Sequence, residues 1–250
     1  MNSRNTTSWK QEGSIGILQL HNPPGNYLTI PEFFPTDELQ QKVNNGIKGL
    51  IITGSGRHFS AGADLKMIKK QLGEIHRFRK QLTQGNELLN FIETMKIPVM
   101  AAITGACFGG GLEVALSCHV RVCSKTALFA FPEVNRNLFP GMGGIRKLEE
   151  ITGKATALEL ILKGDLINAE KAYELKLVDR VLPKKEVMNY AVDFLKTITR
   201  DRPLKVINSV MESLNNSRNM SFEKAVEKDV EMFCQLALEE FNKGEKNGET

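Results

Sequence analysis

Apolar positions along this chain follow two periods, and the switches between them mark out its elements. Ile15–Leu20 alternates small and branched apolar residues and then meets His-Asn-Pro-Pro-Gly, which predicts a strand closed by a turn. Gly49-Leu-Ile-Ile-Thr-Gly54 and Pro98–Ile103 are short continuous apolar runs, the pattern of strands buried on both faces. Between them Asp37–Asn44 reads as a short helix, and Asp64–Leu72 as another with Asp64 as its N-cap. Ile75, Phe78, Leu82, Leu88, Leu89, Phe91 and Ile92 fall mostly at helical spacing, so residues 74–94 should form an amphipathic helix.

Gly109-Gly110-Gly111 leads into a predicted helix at Leu112–Ser117, and His119–Cys123 and Ala127–Phe131 read as strands followed by loops at Pro132-Glu133 and Phe139–Gly144. From Arg146 onward the pattern is helical: Ala155–Leu162, Ala169–Lys176, Lys185–Thr199, Pro203–Leu214 and Ser221–Phe241, with residues 244–250 expected to fray. Strand and helix in alternation, then a helical third, predict an α/β core with a helical C-terminal extension.

Composition narrows the class without naming a chemistry. A chain of 250 residues, 41% of them hydrophobic, can bury a sizeable core. With 33 Lys+Arg against 29 Asp+Glu the net charge is +4, which gives nucleic-acid binding little support. Cys107, Cys118, Cys123 and Cys234 show no CxxC spacing, so they read as reduced thiols, Cys107 and Cys118 as small core residues. The histidines at 21, 58, 76 and 119 are scattered with no HExxH, and no metal site is predicted. The opening MNSRNTTSWK has neither the apolar run of a secretory signal nor an Arg-rich amphipathic stretch. Ile97–Ile103 is far shorter than the roughly 18 apolar residues of a membrane span. The expectation is a cytoplasmic protein with no membrane association.

The glycines carry the most local information. There is no GxxxxGK[ST], and Gly54-Ser-Gly56 lacks the third glycine of GxGxxG, so phosphate-loop readings are weak. In Gly105-Ala-Cys-Phe-Gly109-Gly110-Gly111-Leu-Glu113 the glycines instead permit close backbone approach, and the helix start that follows leaves N–H groups free. Phe59-Ser-Ala-Gly62-Ala63-Asp64 is a second tight turn before a helix. Two such donors converging on one oxygen make an oxyanion hole, worth about 3 kcal/mol per donor in a transition state.

FSAGADL (59–65), GACFGGGLEVAL (105–116), FPEV (131–134) and FPGMGG (139–144), in that order, resemble the enoyl-CoA hydratase/isomerase (crotonase) family over roughly residues 10 to 240. The resemblance implies a ββα spiral core over 1–195 and a helical region over 196–250 that builds homotrimers or dimers of trimers. It implies an acyl-CoA thioester ligand, with an acyl carrier protein thioester as an alternative, and no permanently bound cofactor, since coenzyme A arrives with the substrate. By motif position, Ala63 and Gly110 are the oxyanion donors, and Glu113 and Glu133 match the two glutamates used by family hydratases. Arg57, Ala61, Asp64, Leu65 and Lys66 fall in the substrate-binding segment, with Arg57 and Lys66 at positions that meet coenzyme A.

Two carboxylates facing one substrate suit water addition to a trans-2-enoyl thioester, Glu113 activating water and Glu133 delivering a proton. Alternatives within the family are double-bond isomerisation and thioester decarboxylation, and outside catalysis an RNA-binding or scaffold role. Taken alone, Glu113 and Glu133 also read as ordinary first-turn glutamates, and Asp64 as a cap. The chain departs from the family pattern in a short segment between Asn26 and Gly49, in His119, in Phe131 beside the expected acyl pocket, in Arg146-Lys147 and in its closing residues.

Overall fold

A computed structural model describes residues 6–247, with side chains through Asn242. Two sheets organise it. The larger has strand order β1-β2-β3-β4-β6-β9, formed by β1 (Thr7–Glu12), β2 (Ile15–Leu20), β3 (Gly49–Gly54), β4 (Val99–Ile103), β6 (Val120–Ser124) and β9 (Arg180–Leu182). Only the β1–β2 hairpin is antiparallel in this sheet. The smaller sheet has order β5-β7-β8, from β5 (Ala106–Phe108), β7 (Leu128–Ala130) and β8 (Ile167–Asn168).

Strand alternation divides the core as the period of two requires. Ile15, Ile17, Ile51, Met100, Ala102 and Val122 face one way and pack on Val187, Ala191, Val192 and Leu195 of α8 (Val187–Thr199). Leu18, Leu20, Leu50, Ile52, Ala101 and Ile103 face the other way, against Leu88, Leu89 and Ile92 of α3 (Ile75–Glu93). Helices α1 (Thr36–Asn44) and α2 (Leu65–Gln71) precede α3, and α4 (Gly110–Leu116) follows β5.

The site arises from a repeated unit. β4 passes into β5 and then α4; β6 passes into β7 and then a 3₁₀ turn at Pro132–Arg136; β3 passes through Ser60, which bridges in parallel to Cys107 of β5, and then into α2. Each repeat places one strand in the large sheet and one in or beside the small sheet. Successive turns are therefore stacked, so the segments after Ser60 and after β5 lie side by side.

The C-terminal helices are α5 (Gly144–Thr152), α6 (Lys154–Lys163), α7 (Ala169–Glu174), α8, α9 (Leu204–Asn219) and α10 (Phe222–Asn247). Ion pairs from Lys96 to Glu212 and from Arg218 to Glu93 fix α9 to the body. Phe222, Val230, Phe233, Leu238 and Phe241 of α10 are exposed.

Several sequence expectations are corrected. Thr7–Glu12 is a strand whose polar alternation hides it; its hairpin partner β2 supplies the ordering. Glu133 lies in a 3₁₀ turn, not a loop, and helix α5 begins at Gly144. The short strands β8 and β9 interrupt the stretch read as wholly helical. Helix α10 continues to Asn247 where fraying was expected from Gly244; the expected fraying of 248–250 and the reading of the first five residues lie outside the described residues. Among the described residues no helix is long and apolar enough to cross a membrane, and no cluster of three or more His, Cys, Asp or Glu is placed to hold a metal ion.

Candidate active site

The first donor is set by a locked loop. Asn26, buried and in the left-handed region at φ 50°, donates from Nδ2 to the carbonyls of Ser55 (2.9 Å) and His58 (2.7 Å). Its own carbonyl accepts from Ser60 Oγ at 2.7 Å, and Ser60 Oγ in turn accepts the Gly62 N–H at 3.1 Å. Leu28 N–H donates to the Gly62 carbonyl and Asp64 N–H to the Leu28 carbonyl, so the intervening Ala63 N–H points to the opposite side of the strand. Asp64 then caps α2, its Oδ1 accepting from Lys66 N at 2.9 Å and Met67 N at 3.4 Å.

The second donor sits at the same place in the next repeat. Gly109, at φ 49°, turns the chain from β5 into α4, and Gly110 is the first residue of that helix. Neither Ala63 N–H nor Gly110 N–H has an acceptor among the described residues. They are close: a methyl group placed on Gly62 would lie 3.4 Å from Gly110 N, and one placed on Gly110 would lie 3.9 Å from Ala63 N. The side chain missing at Gly62 matters doubly, because φ is 87° and a methyl there would meet the Phe108 carbonyl oxygen at 2.7 Å.

The two glutamates have unlike environments. Glu113, in the first turn of α4, is 2% exposed, and its Oε1 accepts from Met142 N at 2.7 Å and Gly144 N at 3.0 Å. Burial raises its pKa, while the Gly144 and Met142 N–H groups and the Lys147 ammonium pull in the opposite direction. Its Oε2 has no hydrogen-bond partner among the described residues. Glu133 is half-buried, with Oε1 over Gly109, where a methyl group would come within 2.5 Å of it. Its Oε2 is buried and has no partner among the described residues. Burial, with the charge of nearby Glu113 adding to it, pushes the Glu133 carboxyl up to about 7, against a weaker pull from its own backbone N–H.

The structure thus brings Ala63, Gly110, Glu113 and Glu133 together. Ala61 lines the same turn and is held by its N–H to the Gly25 carbonyl at 2.7 Å. Arg57, Leu65 and Lys66 are exposed outside it, and the Arg57 and Lys66 side chains pair with no described residue. Phe131 packs its ring edge against Gly144, beside the aliphatic carbons of Glu113, and so backs that carboxylate. His119 is structural: Nδ1 accepts from Val99 N at 2.9 Å and Nε2 faces the Glu93 carbonyl at 3.0 Å. One acceptor and one donor nitrogen fit a neutral ring, and burial lowers its pKa accordingly.

Asn26 is not anticipated from sequence, and Ser60, Met142 and Gly144 stand within the FSAGADL and FPGMGG motifs with no role read for them there. The Asn following Pro-Pro-Gly is a turn residue that tolerates φ > 0, which is the one local signal for Asn26. Met142 and Gly144 act through backbone N–H groups at the start of α5, and no side-chain motif marks that.

The enoyl-CoA hydratase/isomerase family profile matches residues 10–247. A Bacillus subtilis protein named as a probable enoyl-CoA hydratase is 33% identical over 232 residues, covering 92% of this chain and 89% of that one. The fatty acid oxidation complex subunit alpha of Shewanella halifaxensis is 37% identical over 229 residues, covering 86% of this chain and 32% of the subunit. The chain therefore matches about a third of the length of that relative. A crystal structure of an enoyl-CoA hydratase from Polaromonas sp. JS666 matches with a TM-score of 0.85 at 26% identity, over 92% of this chain and 90% of the other.

Proposed function

This chain belongs to the enoyl-CoA hydratase/isomerase family, and on that footing we propose that it adds water across the double bond of a trans-2-enoyl-CoA to give the 3-hydroxyacyl-CoA. The observation that carries this reading is the pairing of two carboxyl groups in unlike environments beside two backbone N–H groups that have no acceptor among the described residues. Glu113 Oε1 accepts two N–H groups, while Glu133 is poorly solvated and its carboxyl, pushed up to about 7, is suited to give and regain a proton near neutral pH.

In the proposed cycle the thioester carbonyl oxygen sits between the Ala63 and Gly110 N–H groups. Glu113 takes one proton from a water molecule as its oxygen bonds to C3. The electron pair of the double bond moves toward the carbonyl, and the resulting enolate oxygen is held by the two donors. Glu133 gives its proton to C2 on the same face. Glu113 then releases its proton and Glu133 regains one, so the net reaction consumes one water.

Coenzyme A enters and leaves as part of the substrate, and no other cofactor has a part in these steps. Arg57 and Lys66, unpaired at the rim, are the cations offered to its phosphates, with Asp64 and Leu65 beside them. Residues 1–195 would be the catalytic core. The exposed apolar side chains of α10, within 196–250, would be covered in a trimer or a dimer of trimers.

Incubation with trans-2-butenoyl-CoA tests the reading. A 3-hydroxybutanoyl-CoA product supports it. A shifted double bond would assign the site to isomerisation, and unchanged thioester would remove it.

A further inference from the structure

Resting on the thioester reading above, a second property of the site follows from one side chain. The methyl position on Gly110 that lies 3.9 Å from Ala63 N also lies 3.2 Å from Met142 Cε and 3.4 Å from Leu28 Cδ1. The thioester region is therefore walled on that side by the ends of two buried apolar side chains, Met142 and Leu28.

Met142 has a further constraint. Its backbone N–H holds Glu113 Oε1 at 2.7 Å, so its main chain is fixed beside the carboxylate assigned to C3 while its thioether reaches back to the donor assigned to C1. An acyl chain extending beyond C3 toward α3 would meet this side chain. Behind it stands Gly85 of α3, where a methyl group would meet Met142 Sδ at 3.0 Å and Pro31 Cβ at 2.4 Å. The thioether is thus wedged between a glycine of the oxyanion turn and a glycine of α3.

Beyond this wedge lies space. A solvent-open cleft of about 300 Å³ between α3 and the start of α5 is lined by Met142 and Leu89 together with polar and charged side chains, Asn86, Glu93, Arg146 and Lys147 among them. Met142 is the residue common to that cleft and to the wall at Gly110.

We propose that the Met142 side chain is the chain-length stop of the acyl pocket, restricting the site to short, straight 2-enoyl thioesters and shutting off the cleft between α3 and α5. Met→Ala removes three heavy atoms from the wedge and joins the two spaces, while the backbone N–H that orients Glu113 is retained. Methionine is also unbranched and adaptable, so the stop yields gradually with chain length.

The test is a kcat/KM series on trans-2-butenoyl-, 2-hexenoyl- and 2-octenoyl-CoA for the wild type, Met142→Ala and Met142→Leu, with circular dichroism confirming the fold. The wild type should favour butenoyl over octenoyl by at least about tenfold, in the range that a few methylenes decide in an apolar pocket. Met142→Ala should reduce that ratio at least about tenfold by gaining octenoyl turnover, and Met142→Leu, similar in volume, should keep it. A wild type that prefers octenoyl, or treats the two alike, overturns the proposal even if Met142→Ala fails to fold. A folded Met142→Ala with an unchanged ratio also overturns it and leaves the hydratase reading intact. Failure of the wild type on every enoyl-CoA sinks both.

Discussion

Replacing Glu133 by Gln isolates the consequence of holding a carboxyl group where water solvates it poorly. Burial and the nearby Glu113 raise this group from 4.5 to about 7, so the folded protein keeps a proton that the unfolded chain releases at lower pH. The stability contributed by that proton is complete below about pH 4.5. It is lost as pH rises through about 7, because over this window the unfolded state binds fewer protons than the folded one. A displacement of this size, at about 1.36 kcal/mol per pH unit, amounts to about 3 kcal/mol. Since Glu133 is only half-buried, solvent screening reduces the expected effect to about 1–2 kcal/mol. Glutamine keeps the shape and removes the titration. Urea unfolding of both proteins across this range should show Glu133→Gln gaining about 1–2 kcal/mol relative to wild type between about pH 4.5 and pH 7, then a constant difference above it. Parallel stability curves would refute the claim that Glu133 is held protonated in the fold.

Four further outcomes follow. Glu113→Gln can still accept the Met142 and Gly144 N–H groups, so it should fold normally while kcat for hydration drops about 100-fold or more in a direct product assay. The hydration kcat/KM should decline as pH rises past about 7, where Glu133 loses the proton it is assigned to deliver, and a flat profile through pH 8 would contradict that role. Gly62→Ala forces a side chain into φ 87° and against the Phe108 carbonyl, which should cost about 2 kcal/mol or more in chemical unfolding. Asp64→Ala should lower stability by about 1 kcal/mol and Asp64→Ser should restore most of it, as expected of the cap on α2.

What could be read from the sequence was what is local. β2, β3 and β4 are apolar along nearly their whole length, and the parity of their residues assigns each to one of two core clusters. Glu113 and the glycine turns were legible because helix-start and turn chemistry is written within a few residues. Thr7–Glu12 was not, because an edge strand half in solvent carries polar residues and is ordered by its partner. The two-residue β8 and three-residue β9 are too short to show a period. The supports of the site were hidden for a different reason: Asn26 reaches Ser55 across 29 positions and Met142 reaches Glu113 across 29. Only the stacking of successive ββα repeats brings such positions together. The closeness of Ala63 to Gly110 has the same origin, since the Ser60–Cys107 bridge sets the two turns side by side.

The most direct test of the account is product analysis on trans-2-butenoyl-CoA in ¹⁸O-labelled water, run on wild type, Glu113→Gln and Glu133→Gln. The wild type should give 3-hydroxybutanoyl-CoA carrying one label at C3, and each variant should lose most of that product. Turnover that survives in both variants, or a thioester recovered without label at C3, would contradict it.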